Sequence, residues 1–172
     1  MVVDDLGAEL PDDPLDRGKW SYPLLADQLR RWSEKPDRDC AELFRRMVFN
    51  AAVTNDDDHP RNHAAIRSGR SWRLSPAYDL VPKPMVGIDK RSLAMVVGQY
   101  GRTASLYNIL SQCARFGLTP AAAKKEIAAI VDGVRGWREH FHECGVAAQD
   151  IDTMATAFLP PCFYYEQPVE DA

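Results

Sequence analysis

A polar segment at residues 55–63 carries the side chains of this 172-residue chain that are best suited to chemistry. It reads Asn-Asp-Asp-Asp-His-Pro-Arg-Asn-His and directly follows an apolar helical pattern. Within it, Asp57 and Asn62 have the spacing D-x-x-x-x-N. A phosphotransferase loop uses this spacing, with the aspartate accepting the proton of the attacking hydroxyl and the asparagine holding Mg²⁺. On composition alone, a polar loop with an Asx-rich helix cap remains an open alternative.

A further acidic residue, Asp79, follows two short apolar stretches at residues 64–66 and 72–74. The turn-like Ser-Gly-Arg-Ser between them predicts a β-hairpin. Kinases place their second metal-binding aspartate just past a strand that follows the catalytic loop. Carboxylate and amide oxygens are hard ligands that suit Mg²⁺. We therefore expect Asp57, Asn62 and Asp79 to converge around one cavity.

Helical patterns flank these residues and must position them. Before the polar segment, apolar residues recur at helical spacing, which predicts a helix that ends near Val53 and buries one face. The predicted buried residues are Cys40, Leu43, Phe44, Met47, Val48 and Ala51. An earlier helix opens at Tyr22 and carries its own apolar side: Leu24, Leu25, Leu29 and Trp32. Thr119 and Pro120 predict the start of a later helix, and residues 150–158 predict the last. With a β-like stretch at 92–97, the fold class is mainly α (α+β).

Composition and charge narrow the function classes. The net charge of −4 and the absence of a basic stripe argue against direct nucleic-acid binding. No signal sequence or long apolar run is present, so we expect a cytoplasmic protein without a membrane segment. The four cysteines lack ligand spacing and are interpreted as free thiols. We predict an irregular acidic arm at 1–19, one domain at 20–160 and a tail at 161–172. Two interpretations are open for the basic residues Lys83, Lys90 and Arg91 near Asp79: contact with an acidic partner or a phosphate, and a solvated loop, which we prefer.

Three segments, 47–50, 55–63 and 72–80, together resemble the C-terminal lobe of HipA-like serine/threonine kinases, the toxin half of bacterial HipA/HipB-type toxin–antitoxin modules. The resemblance implies a helical kinase-type C-lobe in which Asp57 is the catalytic base. It implies that Asn62 and Asp79 hold Mg²⁺ on the phosphates of ATP, the co-substrate. The remaining nucleotide contacts would come from His59, Arg61 and Tyr78. The sequence departs from the family at position 56, where Asp stands in place of the common Thr.

The 172 residues contain neither G-x-G-x-x-G nor G-x-x-x-x-G-K, so the glycine-rich loop and the ATP-binding lysine of a kinase are missing from them. By the resemblance these belong to an N-lobe upstream, and we expect a truncated form that is inactive without an N-lobe polypeptide. The expected partners are a protein substrate and a HipB-like antitoxin. Two alternatives remain open: a non-catalytic remnant that binds an antitoxin or another partner, and a metal-dependent hydrolase that uses the Asp/His/Asn cluster.

Overall fold

The computed structural model describes residues 20–85 and 91–167. The predicted acidic arm, Lys90 and residues 168–172 of the predicted tail lie outside these ranges. Helices make up 54% of the chain and are accompanied by one two-stranded antiparallel sheet, so the expected mainly α (α+β) class is confirmed. No helix in the described ranges is both long enough and apolar enough to cross a lipid bilayer.

Helices α1 (Tyr22–Trp32) and α2 (Pro36–Ala52) form the centre of the core. The Ser21 hydroxyl caps α1 by accepting a hydrogen bond from the Leu24 amide at 3.2 Å. Helix α2 begins earlier than the sequence predicts, at Pro36, because proline is well tolerated in the first turn of a helix. Its predicted apolar stripe is buried throughout. The predicted stripe of α1 is wrong at Leu24, which is 47% exposed, whereas Tyr22 is completely buried in its place.

The predicted hairpin is present as β1 (Ala65–Ser68) and β2 (Ser71–Leu74). Ala65 pairs with Leu74 at its open end. The β-like stretch predicted at 92–97 forms only isolated bridges, because it meets the start of α1 over too few residues for a strand. Val96 donates to the Trp20 carbonyl at 2.7 Å and accepts from the Tyr22 amide at 3.0 Å.

The second half of the described chain packs four further helices around the core: α3 (Leu106–Ser111), α4 (Pro120–Arg135), α5 (Trp137–Glu143) and α6 (Ala148–Thr153). The predicted cap of α4 is confirmed, since the Thr119 hydroxyl accepts from the Ala122 amide at 3.2 Å. The single helix predicted at 150–158 is wrong: α6 ends at Thr153 and a 3-10 turn follows at Ala155–Ala157. Packing continues beyond the predicted domain boundary, because Phe163 is completely buried.

Candidate functional site

The polar loop begins where α2 ends in a left-handed residue. Thr54 has φ +56°, and the Asn55 amide donates to the Asn50 carbonyl at 2.9 Å, which is the hydrogen-bond pattern of a Schellman helix end. Glycine usually occupies this position, and a β-branched residue there is strained by about 1–2 kcal/mol. The Thr54 hydroxyl donates to the Ala157 carbonyl at 2.8 Å and so helps to hold the strained turn. The turn directs residues 55–63 across the end of α2.

Asp58, rather than Asp57, is the buried aspartate of the loop, with 1% of its surface exposed. One of its oxygens, Oδ2, accepts a hydrogen bond from the Tyr22 hydroxyl. The same oxygen accepts from Asn50 Nδ2 at 2.7 Å and lies 3.1 Å from His63 Nε2. We call Asp58, Tyr22, Asn50 and His63 the Asp58 cluster. It joins α1 and α2 to the middle and the end of the loop, and so fixes the path of the backbone next to Asp57.

The pKa of Tyr22 is raised well above its ordinary value, mainly by burial and further by the neighbouring Asp58. Tyr22 therefore remains protonated and acts as a hydrogen-bond donor. The cluster continues toward Asp79 through Asn55. Asn55 Nδ2 donates to Asn50 Oδ1 at 3.0 Å and lies 3.4 Å from the Asp79 carbonyl oxygen. Asp79 itself has φ +57°, a left-handed conformation that aspartate tolerates better than most residues. One hydrogen-bonded network therefore fixes both the loop and the backbone at Asp79.

The predicted reactive residues lie at the edge of this network. Asp57 and Asp79 are exposed, and within the described residues neither carboxyl group has a hydrogen-bond or ion-pair partner. Asn62 is 6% exposed, and its Nδ2 lies 3.4 Å from the Asp57 carbonyl oxygen, which closes the loop on itself. The Asn62 side chain contacts the backbone of Asp57, and the Asn55 side chain contacts the backbone of Asp79. These contacts bring the segments that carry the two carboxyl groups to the same end of α2.

The residues expected to contact nucleotide lie around the same loop. Tyr78 is 42% exposed and its hydroxyl donates to the Arg61 carbonyl at 2.7 Å, which ties the segment before Asp79 to the loop. His59 packs edge-on against Trp20, with ring centroids 6.4 Å apart. The Arg61 side chain is exposed. Tyr78 and Arg61 thus belong to one surface.

Asp56, the residue at the position where the resemblance implies Thr, forms an ion pair with Lys83, whose Nζ lies 2.8 Å from Oδ1. The hydrogen bond to Asp56 raises the pKa of Lys83 above its ordinary value. Lys83 is exposed, as the interpretation of a solvated loop requires, but Arg91 is only 7% exposed and its guanidinium lies 3.3 Å from the Met85 carbonyl oxygen. The interpretation of Arg91 as a solvated loop residue is therefore wrong.

The donors at this site suit a hard cation that keeps most of its water. No group of three or more His, Cys, Asp or Glu in the described ranges is arranged to hold a metal ion. Mg²⁺, however, is usually held by one or two carboxylates together with water and substrate phosphates. The Asp79 carboxyl group, which has no protein partner among the described residues, and the Asn62 amide oxygen provide this type of donor. In donor chemistry alone, one carboxylate and one amide oxygen are compatible with Mg²⁺.

Four residues that support the loop in the structure have no role that spacing or motif predicts: Tyr22, Asn50, Asn55 and Asp58. Asn50, Asn55 and Asp58 lie in the segments that carry the family resemblance. The signal that could have identified Asn50 is its place near the end of α2, as a polar residue among buried apolar ones.

Comparison with known protein families gives a match that covers most of the chain. The family model described as HipA-like C-terminal domain matches residues 6–137, a range that includes α1, α2, the hairpin, the predicted site residues and the Asp58 cluster. The chain therefore belongs to the HipA-like C-terminal domain family. No curated protein matches the chain closely enough to count as a relative.

Proposed function

We propose that this chain is the helical lobe of a HipA-type serine/threonine protein kinase that transfers a phosphoryl group from Mg·ATP to a protein, within a toxin–antitoxin system. The observation that carries the proposal is the common support of the two exposed carboxyl groups. Asp57 and Asp79 lie on segments that one buried network holds through Asp58, Asn50 and Asn55. Family membership supports the same conclusion.

The residues would divide the reaction between them. Asp57, exposed and unpaired among the described residues, is suited to accept the proton of an attacking serine or threonine hydroxyl. Asn62 and Asp79 would hold the metal ion, and Mg²⁺ when bound would neutralise charge on the phosphate oxygens. His59, Arg61 and Tyr78 would contact the nucleotide. The Asp58 cluster would keep Asp57 and Asn62 in register, because phosphoryl transfer depends mainly on positioning and charge stabilisation.

The metal assignment can be tested without activity. We expect Mn²⁺, added with ATP in place of Mg²⁺, to broaden the NMR signals of residues 55–63 and 78–80 before those of α4 or α6. Asp79→Asn should abolish the selective broadening, because it removes a metal ligand. Asp152→Asn is the matched control, because Asp152 is an exposed aspartate on α6. Broadening spread evenly over the acidic surface, or unchanged in Asp79→Asn, would refute the site.

An apolar groove favours a second candidate function. In this function the chain is an interaction module that binds an antitoxin or another protein without catalysis. The groove, of about 350 Å³, lies between α4, α5 and Phe158, which follows the 3-10 turn, and its lining includes Ile130, Trp137 and Phe141. Trp137 and Phe158 stack with ring centroids 4.1 Å apart. Trp137 and Phe141 are half-buried at the groove. Loss of partner capture in Trp137→Ala, with the Mn²⁺ effect absent in the parent chain, would favour this module over the kinase lobe.

A further inference from the structure

A charged pocket of about 460 Å³ lies between α2 and the hairpin, and the proposed function does not use it. Four arginines line it: Arg38, Arg45, Arg46 and Arg73. The acidic residues of the lining are two, Asp39 and Glu42. The lining therefore carries an excess of positive charge, although the chain as a whole has a net charge of −4.

Both carboxyl groups already have several partners. Asp39 is 2% exposed and accepts hydrogen bonds from the Ser33 hydroxyl at 2.6 Å and the Leu74 amide at 2.9 Å, while Arg73 Nη2 lies 3.2 Å from its other oxygen. Glu42 uses one oxygen for Arg45 at 3.0 Å and the other for Arg46 at 3.1 Å. Arg45 also reaches Glu126, at 3.3 Å. The acidic side chains of the lining are thus saturated.

Two guanidinium groups retain unused donors. Arg46 is 5% exposed, and its Nη2 donates to the Ser75 carbonyl at 2.5 Å. Its other terminal nitrogen, Nη1, is buried and has no hydrogen-bond partner within the described residues. Arg38 is exposed, and none of the described residues forms a hydrogen bond or ion pair with it. Within the described part of the chain, Arg38 therefore offers free donors at the pocket, and the unpaired Nη1 of Arg46 makes the lining more favourable for an anion.

We propose that this pocket binds a phosphate monoester or free phosphate as a dianion. The positive charge of the lining complements a phosphate monoester, which carries about −1.5 to −2 at neutral pH, even though Arg45 is also paired with Glu126. Guanidinium groups form bidentate hydrogen bonds with phosphate oxygens, and the exposed Arg38 guanidinium, which has no partner among the described residues, is available for this. Arg73 would add charge from the β2 side of the pocket.

The pocket lining contains none of the residues of the proposed metal and nucleotide site, and the phosphate proposal does not depend on kinase activity. The pocket borders the segment that leads to Asp79, because Arg46 donates a hydrogen bond to the Ser75 carbonyl and Pro76 is part of the pocket lining. The same chemistry could come from a phosphorylated side chain of a protein or from a free phosphate. Those two sources require separate arms in the experiment.

The test is an NMR titration of the full 172-residue chain at fixed ionic strength, following the arginine Nε–H signals. The probes are inorganic phosphate, a phosphoserine peptide and the same peptide without phosphate. We expect saturable shifts at Arg46 and Arg73 with phosphate, the phosphopeptide or both, and none with the unmodified peptide. Tighter binding of the phosphopeptide would identify a protein source, and equal or tighter binding of inorganic phosphate a free anion.

Arg38→Ala should weaken this binding roughly tenfold or more, because a hydrogen bond between charged groups is lost. The matched control is Arg70→Ala, which removes an equally exposed arginine from the hairpin turn and leaves the pocket unchanged. Both side chains lack partners among the described residues, so both variants should fold as the parent does. Absence of saturable shifts, or equal weakening in the two variants, would overturn the proposal.

Discussion

Replacement of Asp58 by alanine should destabilise the protein strongly, whereas replacement of its neighbour Asp57 should not. The two residues are adjacent and chemically identical, but Asp58 is 1% exposed and Asp57 is exposed to solvent. Three side chains depend on Asp58 Oδ2 as an acceptor, whereas the Asp57 carboxyl group has no partner within the described residues. The pair of variants therefore separates support of the loop from chemistry in the loop.

The magnitude follows from the partners that alanine would leave behind. In Asp58→Ala, Asn50 Nδ2 would still have an acceptor, the Tyr22 hydroxyl oxygen at 3.1 Å. The Tyr22 O–H and His63 Nε2 would lose the carboxylate oxygen that accepts from them. Each unsatisfied buried group costs about 1–3 kcal/mol. Asp58 Oδ1 is itself buried without a partner, so its removal offsets part of this cost. We expect a net loss of about 3 kcal/mol, or a midpoint lower by about 10 °C in a domain of this size.

The assay is urea and thermal unfolding of the parent, Asp57→Ala and Asp58→Ala under one buffer condition. Asp57→Ala should remain within about 0.5 kcal/mol of the parent, as surface substitutions usually do. Asp58→Asn, which retains one oxygen, should lie between the two. Equal destabilisation by Asp57→Ala and Asp58→Ala, or a parent-like midpoint in Asp58→Ala, would refute the assignment of Asp58 as the buried support.

Three further predictions concern chemistry and charge. In an enzyme with a complete ATP pocket, Asp57→Asn should abolish phosphoryl transfer and retain Mg·ATP binding, whereas Asp79→Ala should weaken Mg·ATP binding. Calorimetry in which Asp57→Asn loses more Mg·ATP affinity than Asp79→Ala would exclude these roles. The 172 residues assayed alone with labelled ATP, Mg²⁺ and a bacterial lysate should transfer no measurable label, because they contain no glycine-rich loop; transfer that disappears in Asp57→Ala would contradict this. Asp39→Asn should cost about 1–2 kcal/mol at pH 7. Burial alone would raise the pKa of Asp39, but hydrogen bonds from Ser33, the Leu74 amide and Arg73 lower it below its ordinary value of 3.8. The stabilisation is therefore present above pH 3.8 and is lost as the pH falls through the lowered pKa. A difference in unfolding free energy between parent and Asp39→Asn that persists in acid would contradict the assignment.

The elements that the sequence predicts correctly are those fixed by local periodicity. The stripe from Cys40 to Ala51 repeats at helical spacing and is buried as expected. The hairpin follows from two apolar stretches around a turn that contains Gly69, which has φ +63°. The errors fall where distant parts of the chain decide the outcome. Leu24 is exposed because Tyr22 turns inward to meet Asp58, a contact that no local pattern can indicate.

The order of loop, hairpin and Asp79 could be predicted from spacing, and the structure brings the backbone of these segments together through Asn55. The supporting network could not be predicted in the same way. Asn50 and Asp58 come from opposite sides of a strained turn at Thr54, and the turn brings their side chains to 2.7 Å. A threonine at a position that favours glycine gives no sequence signal for such a turn. The tertiary contact with Ala157 that stabilises it comes from the far end of the chain.

Three consecutive aspartates show how the backbone assigns roles to identical side chains. Asp56 meets Lys83 at 2.8 Å, so its negative charge is partly balanced at the loop surface. Asp58 is enclosed by α1 and α2 and fixes the loop. Of the three, only Asp57 retains an exposed carboxyl group without a partner among the described residues, which is what the proposed role as proton acceptor needs. A shift of one residue in the loop would exchange the buried and the exposed carboxyl groups, so the strained turn at Thr54 decides which aspartate is enclosed and which faces solvent.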